Sequence, residues 1–232
     1  AFTLPACQPQ GKTNEKKSLA SMLGLDAFKL FANYQMALFF VFSVLLGAAL
    51  QLSNMYGDAY LSSFPKGTLV EKYSTIIYSI SQVSETIFIL TIPFFLKRFG
   101  IKNVMLFALV AWVLRYGFFA YGSADFGVFL IVMSCIVYGM AFDFFLISGS
   151  MFVEANTDSS IRSSAQGLFI MMTNGIGAYI GTVASSALIG AYYILPDGST
   201  NWHGAWLLFA GYSLVVAILF FVLFKEKKTA TA

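Results

Sequence analysis

Residues 73–96 read YSTIIYSISQVSETIFILTIPFFL, an apolar stretch in which Glu85 is the only charged residue. A helix needs about 20 mainly apolar residues to cross the hydrocarbon core of a membrane. The stretch is long enough, and the basic segment KRFGIKN follows it directly at residues 97–103. A second apolar run then extends to residue 121. The pattern predicts two membrane helices joined by a short basic turn.

The composition extends this interpretation to the whole chain. Of 232 residues, 58% are hydrophobic and 11% are charged, whereas soluble domains carry about 25% charged residues. The mean hydropathy is +0.76. Apolar runs that approach or exceed the length of a span cover residues 35–61, 73–96, 103–121, 126–153, 164–193 and 202–224. We therefore expect an all-α integral membrane protein with a six-helix bundle.

The charges between the runs predict how the bundle sits in the membrane. Basic residues concentrate at one set of helix ends: Lys12, Lys16, Lys17, Lys29, Lys97, Arg98, Lys102, Arg162, Lys225, Lys227 and Lys228. The opposite ends carry only Lys66 and Lys72 beside several acidic residues. Basic loops stay on the cytoplasmic side, so both termini of this segment should be cytoplasmic. The net charge of +3 reflects this bias and does not indicate nucleic-acid binding.

The N-terminal part differs in character from the spans. Residues 1–7 resemble the end of a preceding transmembrane helix, and residues 8–33 resemble a cytoplasmic linker between domains. Within this linker, residues 18–31 place apolar side chains at helical spacing, which predicts an amphipathic helix on the membrane surface. A simple extension of the first span is the alternative. Residues 34–225 form the six-helix bundle, and residues 226–232 form a cytoplasmic tail.

Two carboxylates, Glu85 and Asp143, lie deep within apolar runs. An acidic residue at the centre of a membrane helix costs about 2.5–3.5 kcal/mol, while a Leu or Ile returns only about 0.3–0.6 kcal/mol. We expect both to face the protein interior, either as structural hydrogen-bonding groups or on a pathway for a solute and protons. A carboxyl group in a low-dielectric cavity can bind and release a proton when its surroundings change. Asp143 and Glu85 are both candidates for proton coupling.

The first span carries a pair of amides. Gln51 and Asn54 are three residues apart and so share a helix face. Gly47 and Gly57 bracket the pair, which favours a break in the helix. A broken membrane helix exposes its backbone only where it lines a cavity. The amide pair is therefore expected at a cavity.

Two further spans repeat this arrangement. Gln82 and Glu85 share one face of the second span, and Tyr138, Phe142 and Asp143 surround one side of the fourth. Amides donate and accept hydrogen bonds, a carboxylate accepts them from hydroxyls, and an aromatic ring covers a sugar or a planar base. Together they suit a small polyhydroxylated or amide-bearing solute. Alternatively, each cluster serves to bond helices to one another.

The remaining polar positions favour structural roles. Arg115 lies in the outer half of the third span, from where its side chain should reach the outer interface. Gly177, Gly181 and Ser185 form a small-residue stripe that lets helices pack closely. Asn174 suits a cavity and bonding between helices equally well. No cysteine or histidine spacing indicates a metal site, and no motif indicates a catalytic residue or a cofactor.

Several segments resemble one family of membrane proteins: LGLDAFKLF (23–31), LGAALQLSNMYG (46–57), SISQVSETIFILTIPFF (79–95), VYGMAFDFFLISG (137–149), RSSAQG (162–167) and MMTNG (171–175). Over residues 18–225 the chain resembles the C-terminal half of bacterial nucleoside:proton symporters of the NupG and XapB type, a branch of the major facilitator superfamily. The resemblance implies a twelve-helix transporter of two bundles, to which this chain supplies helices seven to twelve.

The same resemblance implies a nucleoside site between the two bundles, near the middle of the membrane. The residues that match the family's site are Gln51, Asn54, Gln82, Glu85, Tyr138, Phe142 and Asp143. The resemblance further implies that polar groups of the seventh and eighth helices contact the ribose, while aromatic residues of the tenth pack on the ligand. Other contacts come from the N-terminal six-helix bundle, which lies outside this chain.

We therefore expect half of a proton-driven nucleoside importer of the bacterial cytoplasmic membrane, working by alternating access around a central site. Its expected partners are a purine or pyrimidine ribonucleoside, protons, membrane lipids and the N-terminal bundle, without cofactor or metal. A proton-coupled carrier for sugars or another small polar solute is the nearest alternative. A membrane-embedded enzyme or a structural membrane subunit is more remote, and the enzyme lacks support from any catalytic motif.

Overall fold

A computed structural model describes residues 25–125 and 127–225. Its elements are a 3-10 helix (Leu25–Ala32), α1 (Tyr34–Ser62), α2 (Leu69–Lys72), α3 (Ser74–Tyr121), α4 (Val128–Ala155), α5 (Arg162–Tyr192) and α6 (Trp202–Leu223). Within this part of the chain, every α-helix except α2 is long and apolar enough to cross a membrane. The all-α membrane fold expected from the sequence is confirmed.

α3 contains two of the six predicted spans. Gly100 interrupts it with φ 77° and ψ 169°, a conformation nearly restricted to glycine because glycine lacks a Cβ. The rings of Phe95 and Phe107 lie 6.4 Å apart, whereas a straight helix would separate these residues by about 18 Å. The chain therefore reverses at Gly100. Residues 74–99 and 101–121 form the first and second limbs of a hairpin.

α1 is bonded through its backbone to two other long helices. Tyr212 of α6 donates its hydroxyl to the Leu45 carbonyl at 2.7 Å, and Tyr116 of α3 donates to the Ala49 carbonyl. A carbonyl has two lone pairs, so it can accept from a phenol as well as from its own helix. These two tyrosines fix the second limb of α3 and α6 against the middle of α1.

Gly47 and Gly57 admit neighbouring helices and do not break α1. The helix is continuous, so the break expected between these glycines is wrong. A Cβ on Gly47 would overlap the backbone of Thr173, and a Cβ on Gly57 would overlap the ring of Tyr78. Small residues allow membrane helices to approach closely. Here they let α5 and the first limb of α3 approach α1.

The irregular geometry occurs in α5. This helix adopts π geometry over Met171–Gly177 and returns to α geometry afterwards. Gly177 and Gly181 lie directly against α1 at Val44 and Ala48, so the predicted small-residue stripe packs as expected. π-helical segments are rare and frequently occur at functional sites. The π-helical segment of α5 is therefore a candidate part of a functional site.

The 3-10 helix is separate from α1. Asn33 lies between them, and its side chain accepts a hydrogen bond from the Gln35 N–H at 2.9 Å, which caps the start of α1. Leu25–Ala32 is therefore a separate 3-10 helix and not an extension of α1. The predictions for residues 1–24 and 226–232 lie outside the described residues.

Aromatic clusters pack at two levels of the bundle. One comprises Phe39, Phe145, Phe152 and Phe169. The other comprises Tyr60, Tyr116, Phe119 and Trp206. Along α1, Gln51 and Asn54 lie between Phe39 and Tyr60. The polar residues of the span are therefore held between two well-packed layers.

Candidate solute-binding site

A cavity of about 290 Å³ lies between four helices. Its wall consists of Leu50, Gln51, Asn54, Glu85, Tyr138, Phe142, Asn174 and Ala178. These residues come from α1, the first limb of α3, α4 and α5. Five of the seven site residues predicted from the sequence meet here, so amides, a carboxylate and aromatic rings from separate helices share one space. Gln82 and Asp143 are not part of the wall.

α1 contributes the two amides expected from their spacing. Gln51 is half-buried, while Asn54 is exposed. The Tyr138 hydroxyl donates to Asn54 Oδ1 at 3.5 Å, which is long for a hydrogen bond and therefore weak. An amide also offers two donors and a second lone pair. Most of the hydrogen-bonding capacity of Asn54 thus stays open to a solute.

Tyr138 and Phe142 form what we call the aromatic wall. Their ring centroids are 6.0 Å apart, and their planes are 1° from parallel. The two residues are four apart on α4, so their side chains stand one above the other. The rings of Trp112 and Tyr138 are nearly perpendicular, with centroids 5.8 Å apart. Both rings of the aromatic wall line the cavity, and aromatic rings suit contact with a planar base or the apolar face of a sugar.

Glu85 reaches the cavity because α3 and α4 pack closely at its level. A Cβ on Gly139 would overlap the backbone at Ser84 and Glu85, and the Ser84 hydroxyl donates to the Ile136 carbonyl. Glu85 is half-buried, and its carboxylate interacts with the Tyr138 hydroxyl. A carboxylate in this position can accept hydrogen bonds from the hydroxyls of a solute.

Asp143 lies beside the aromatic wall but outside the cavity, contrary to the expectation from the sequence. It is 6% exposed, and its Oδ2 has no hydrogen-bond partner in the described part of the chain. Consecutive residues of a helix point about 100° apart, so Asp143 turns away from the space that Phe142 faces. Asp143 nevertheless interacts electrostatically with Glu85.

One further amide, Gln82, differs from the prediction, and for Asn174 the structure decides between the two alternatives left open by the sequence. Gln82 is exposed and lies outside the cavity wall, one turn before Glu85. Asn174 does line the cavity, from the π-helical segment of α5. The signal for Asn174 was an amide in an otherwise apolar run. The helix geometry that brings it to the cavity is not visible in residue spacing.

Arg115 is fully buried, so the expectation that it reaches the outer interface is wrong. Its Nε donates to Ser53 Oγ at 2.9 Å, and its Nη1 donates to the Ser134 carbonyl at 3.0 Å. Its guanidinium carbon is 4.1 Å from the centre of the Tyr138 ring. Spacing along the chain does not signal this burial, because the partners lie on α1 and α4.

A second hollow of about 260 Å³ lies between α1, α5 and α6. Its lining is almost entirely apolar, with side chains such as Leu45, Ile180 and Leu208, so it offers little to a polar solute. Over residues 25–125 and 127–225, no three His, Cys, Asp or Glu side chains gather as metal ligands. The polar cavity is therefore the candidate site. Its volume is near the lower end of the range for ligand pockets, about 300–1,000 Å³.

Comparison with known proteins identifies the family. A sequence model of the Nucleoside H+ symporter family matches residues 1–229. The chain belongs to this family. The chain is 52% identical over 232 residues to nucleoside permease NupG of Escherichia coli (strain K12), covering 97% of this chain and 55% of NupG. It is 53% identical over 231 residues to xanthosine permease of the same strain, covering 97% and 54%.

The fold of the chain also matches crystal structures of nucleoside transporter NupG. The TM-score is 0.86 for a point mutant of NupG and 0.82 for NupG itself. Both matches are 52% identical in sequence and cover 97% of this chain and 56% of the NupG chain. The chain spans about half the length of the curated relatives it matches. It is a multi-pass membrane protein of a transporter family, and it is not an enzyme.

Proposed function

We propose that this chain acts as the C-terminal half of a nucleoside:proton symporter that imports nucleosides across the bacterial cytoplasmic membrane. The observation that carries the proposal is the cavity, which combines amides, a carboxylate and two parallel rings in a chain of the Nucleoside H+ symporter family. A nucleoside joins a polyhydroxylated ribose to a planar base. Each part of the ligand has a matching group in the cavity.

In this proposal the polar groups bind the ribose and the edge of the base. Glu85 accepts hydrogen bonds from ribose hydroxyls, and Gln51 and Asn54 donate and accept beside it. The aromatic wall covers the face of the base. Asn174 adds an amide from α5, and Gln82 contributes at the rim of the site, where a second bundle would close over it.

An N-terminal six-helix bundle completes the site. Asn54, Gln82 and Asn174 are exposed polar residues on membrane helices, and such groups are costly against lipid. A second bundle facing them supplies partners and closes the cavity, while the remaining apolar surface contacts lipid. The two bundles rock around the ligand, so the site opens to one side of the membrane at a time. The basic helix ends keep both ends of this segment in the cytoplasm.

Asp143 and Glu85 couple protons to nucleoside uptake. An ionised carboxylate that is buried without a partner is costly, so the charge state of Asp143 depends on whether water reaches it. Water access changes as the bundles rock, which allows Asp143 to take up a proton on one side and release it on the other. Glu85 interacts electrostatically with Asp143 and, in this proposal, binds the ligand. It therefore links ligand binding to the uptake and release of the proton.

The test is uptake of labelled uridine by the protein with both bundles. Asp143→Asn abolishes accumulation driven by a proton gradient, but uridine still binds. Glu85→Gln weakens uridine binding about 10- to 100-fold, because a hydrogen bond to a charged group contributes about 1.5–3 kcal/mol. Binding and accumulation are measured on the same membrane vesicles.

Ser213→Ala is the control, since Ser213 is buried on α6 and does not line the cavity; its uptake matches the unsubstituted protein. Proton-driven uptake that is unchanged in both Asp143→Asn and Glu85→Gln would contradict the proposal. A sugar that displaces uridine as well as unlabelled uridine does would favour a sugar carrier.

A further inference from the structure

The surroundings of Arg115 are unusual for a cation in a membrane protein. It is fully buried on the second limb of α3, where a charged group is costly. Over the described ranges no carboxylate forms an ion pair with it, and its Nη2 has no hydrogen-bond partner. Its acceptors, the Ser53 hydroxyl and the Ser134 carbonyl, are both neutral. Stability alone does not require an arginine here, because well-packed apolar residues commonly replace buried ion pairs without loss of stability. Arg115 interacts electrostatically with Glu85 of the cavity wall.

Arg115 contacts the Tyr138 ring of the aromatic wall without lining the cavity. Its guanidinium carbon is 4.1 Å from the centre of the Tyr138 ring and 5.0 Å from the centre of the Phe119 ring. A cation within about 6 Å of a ring centre is attracted to the ring face. Arg115 is not part of the cavity wall. Its contact with Tyr138 therefore acts on the site indirectly.

The same guanidinium also holds the part of α1 that carries the amides. Its Nε bonds to Ser53 at 2.9 Å, and Ser53 lies between Gln51 and Asn54 in the chain. Its Nη1 bonds to the Ser134 carbonyl at 3.0 Å, one turn before Tyr138 on α4. A guanidinium is planar, with donors in fixed directions. It therefore sets α1 and α4 at a defined separation.

We propose that Arg115 is a positioning residue for the nucleoside site, a role that rests on the proposed function. It sets the distance between the aromatic wall and the amides of α1 without touching the ligand. A lysine keeps the charge, but its compact ammonium neither bridges two acceptors at a fixed spacing nor stacks in the same way. Arginine is thus required for the geometry of the site in addition to its charge.

The test compares Arg115→Lys with Tyr212→Phe in the protein with both bundles. Arg115→Lys raises the KM for uridine uptake about tenfold and changes kcat by less than about twofold, because misplaced groups weaken binding of the ligand. Tyr212 of α6 also donates to a carbonyl of α1, that of Leu45, and neither residue lines the cavity. Tyr212→Phe therefore lowers the melting temperature and leaves the KM unchanged.

A double substitution tests whether Arg115 acts through the aromatic wall. Once Tyr138→Leu is present, Arg115→Lys has little further effect on the KM, because two residues of one network do not act additively. Ser53→Ala removes only the acceptor of Nε and raises the KM by a smaller factor. This variant keeps the test available if Arg115→Lys fails to accumulate.

The outcomes separate the two proposals. An unchanged KM in Arg115→Lys would overturn the positioning role. If Arg115→Lys does not accumulate in the membrane, an unchanged KM in Ser53→Ala would overturn it instead. Full additivity with Tyr138→Leu would also overturn it. If the unsubstituted protein neither binds nor transports uridine, the proposed function itself fails, and this inference fails with it.

Discussion

At the scale of single residues, the two rings of the aromatic wall differ in how they are held. Tyr138 is buried and contacts Asn54, Glu85 and Arg115. Phe142 is half-buried, and its stacking on Tyr138 is its main contact at the cavity. A change at Tyr138 therefore disturbs several helices at once. Phe142 is the better position at which to measure what a ring contributes to binding.

Phe142→Leu should lower the affinity for uridine about 2- to 13-fold, because a stacked aromatic contact contributes about 0.5–1.5 kcal/mol beyond its buried area. Phe142→Tyr keeps the ring and should bind within about threefold of the unsubstituted protein. Both affinities are measured by equilibrium binding to the detergent-purified protein with both bundles. An unchanged affinity in Phe142→Leu would remove this ring from the site.

Residue spacing predicted some members of the site and not others. Tyr138 and Phe142 meet because residues four apart share a helix face. Asp143 follows Phe142, and only the packing of other helices decides which of these neighbours faces the cavity. Asn174 depends on π geometry, and the burial of Arg115 depends on acceptors supplied by two other helices. These positions follow from long-range packing, which spacing along one helix does not contain.

At the scale of helices, the number of spans was predictable and their continuity was not. Hydropathy indicated six spans, and the basic turn at residues 97–103 indicated the hairpin. Gly47 and Gly57 suggested a break in α1, but both admit neighbouring helices. A glycine that breaks a helix and a glycine that allows close packing look the same in one sequence. The irregular helix is α5, whose π-helical segment contains Asn174, Gly175 and Gly177, although the small-residue stripe of the sequence indicated helix packing for Gly177.

Gly100→Ala should lower the stability of the bundle by about 1–3 kcal/mol, because its φ of 77° and ψ of 169° are nearly restricted to glycine. Gly117→Ala is the matched control in the same helix. At both positions an added Cβ meets no atom within 4 Å, but Gly117 has ordinary helical geometry.

Gly117→Ala should therefore be neutral or stabilise the protein by up to about 1 kcal/mol. Thermal unfolding of the two variants in the same detergent provides the comparison. Equal melting temperatures would show that the turn at Gly100 tolerates a side chain, against the backbone argument.

At the scale of the whole molecule, this chain matches about half of each curated relative. The cavity is bounded by α1, α3, α4 and α5, while Asn54 and Asn174 remain exposed at its rim. Under the proposed function, one bundle therefore offers an incomplete set of contacts for a nucleoside. The affinity of the site should depend on the second bundle.

We expect the purified chain alone to bind uridine at least about 100-fold more weakly than the protein with both bundles, because each missing 1.4 kcal/mol of contact costs about tenfold. Equilibrium binding is measured on preparations that each elute as a single species. Comparable affinities would show that this bundle holds a complete site.

The position of Asp143 bears on how a proton and a solute would be carried together under the proposed function. Asp143 is not part of the cavity wall, so a solute that fills the cavity and a proton on Asp143 would occupy different atoms. The proton and the solute would not compete for one binding site, and the protein would hold both during the same crossing of the membrane.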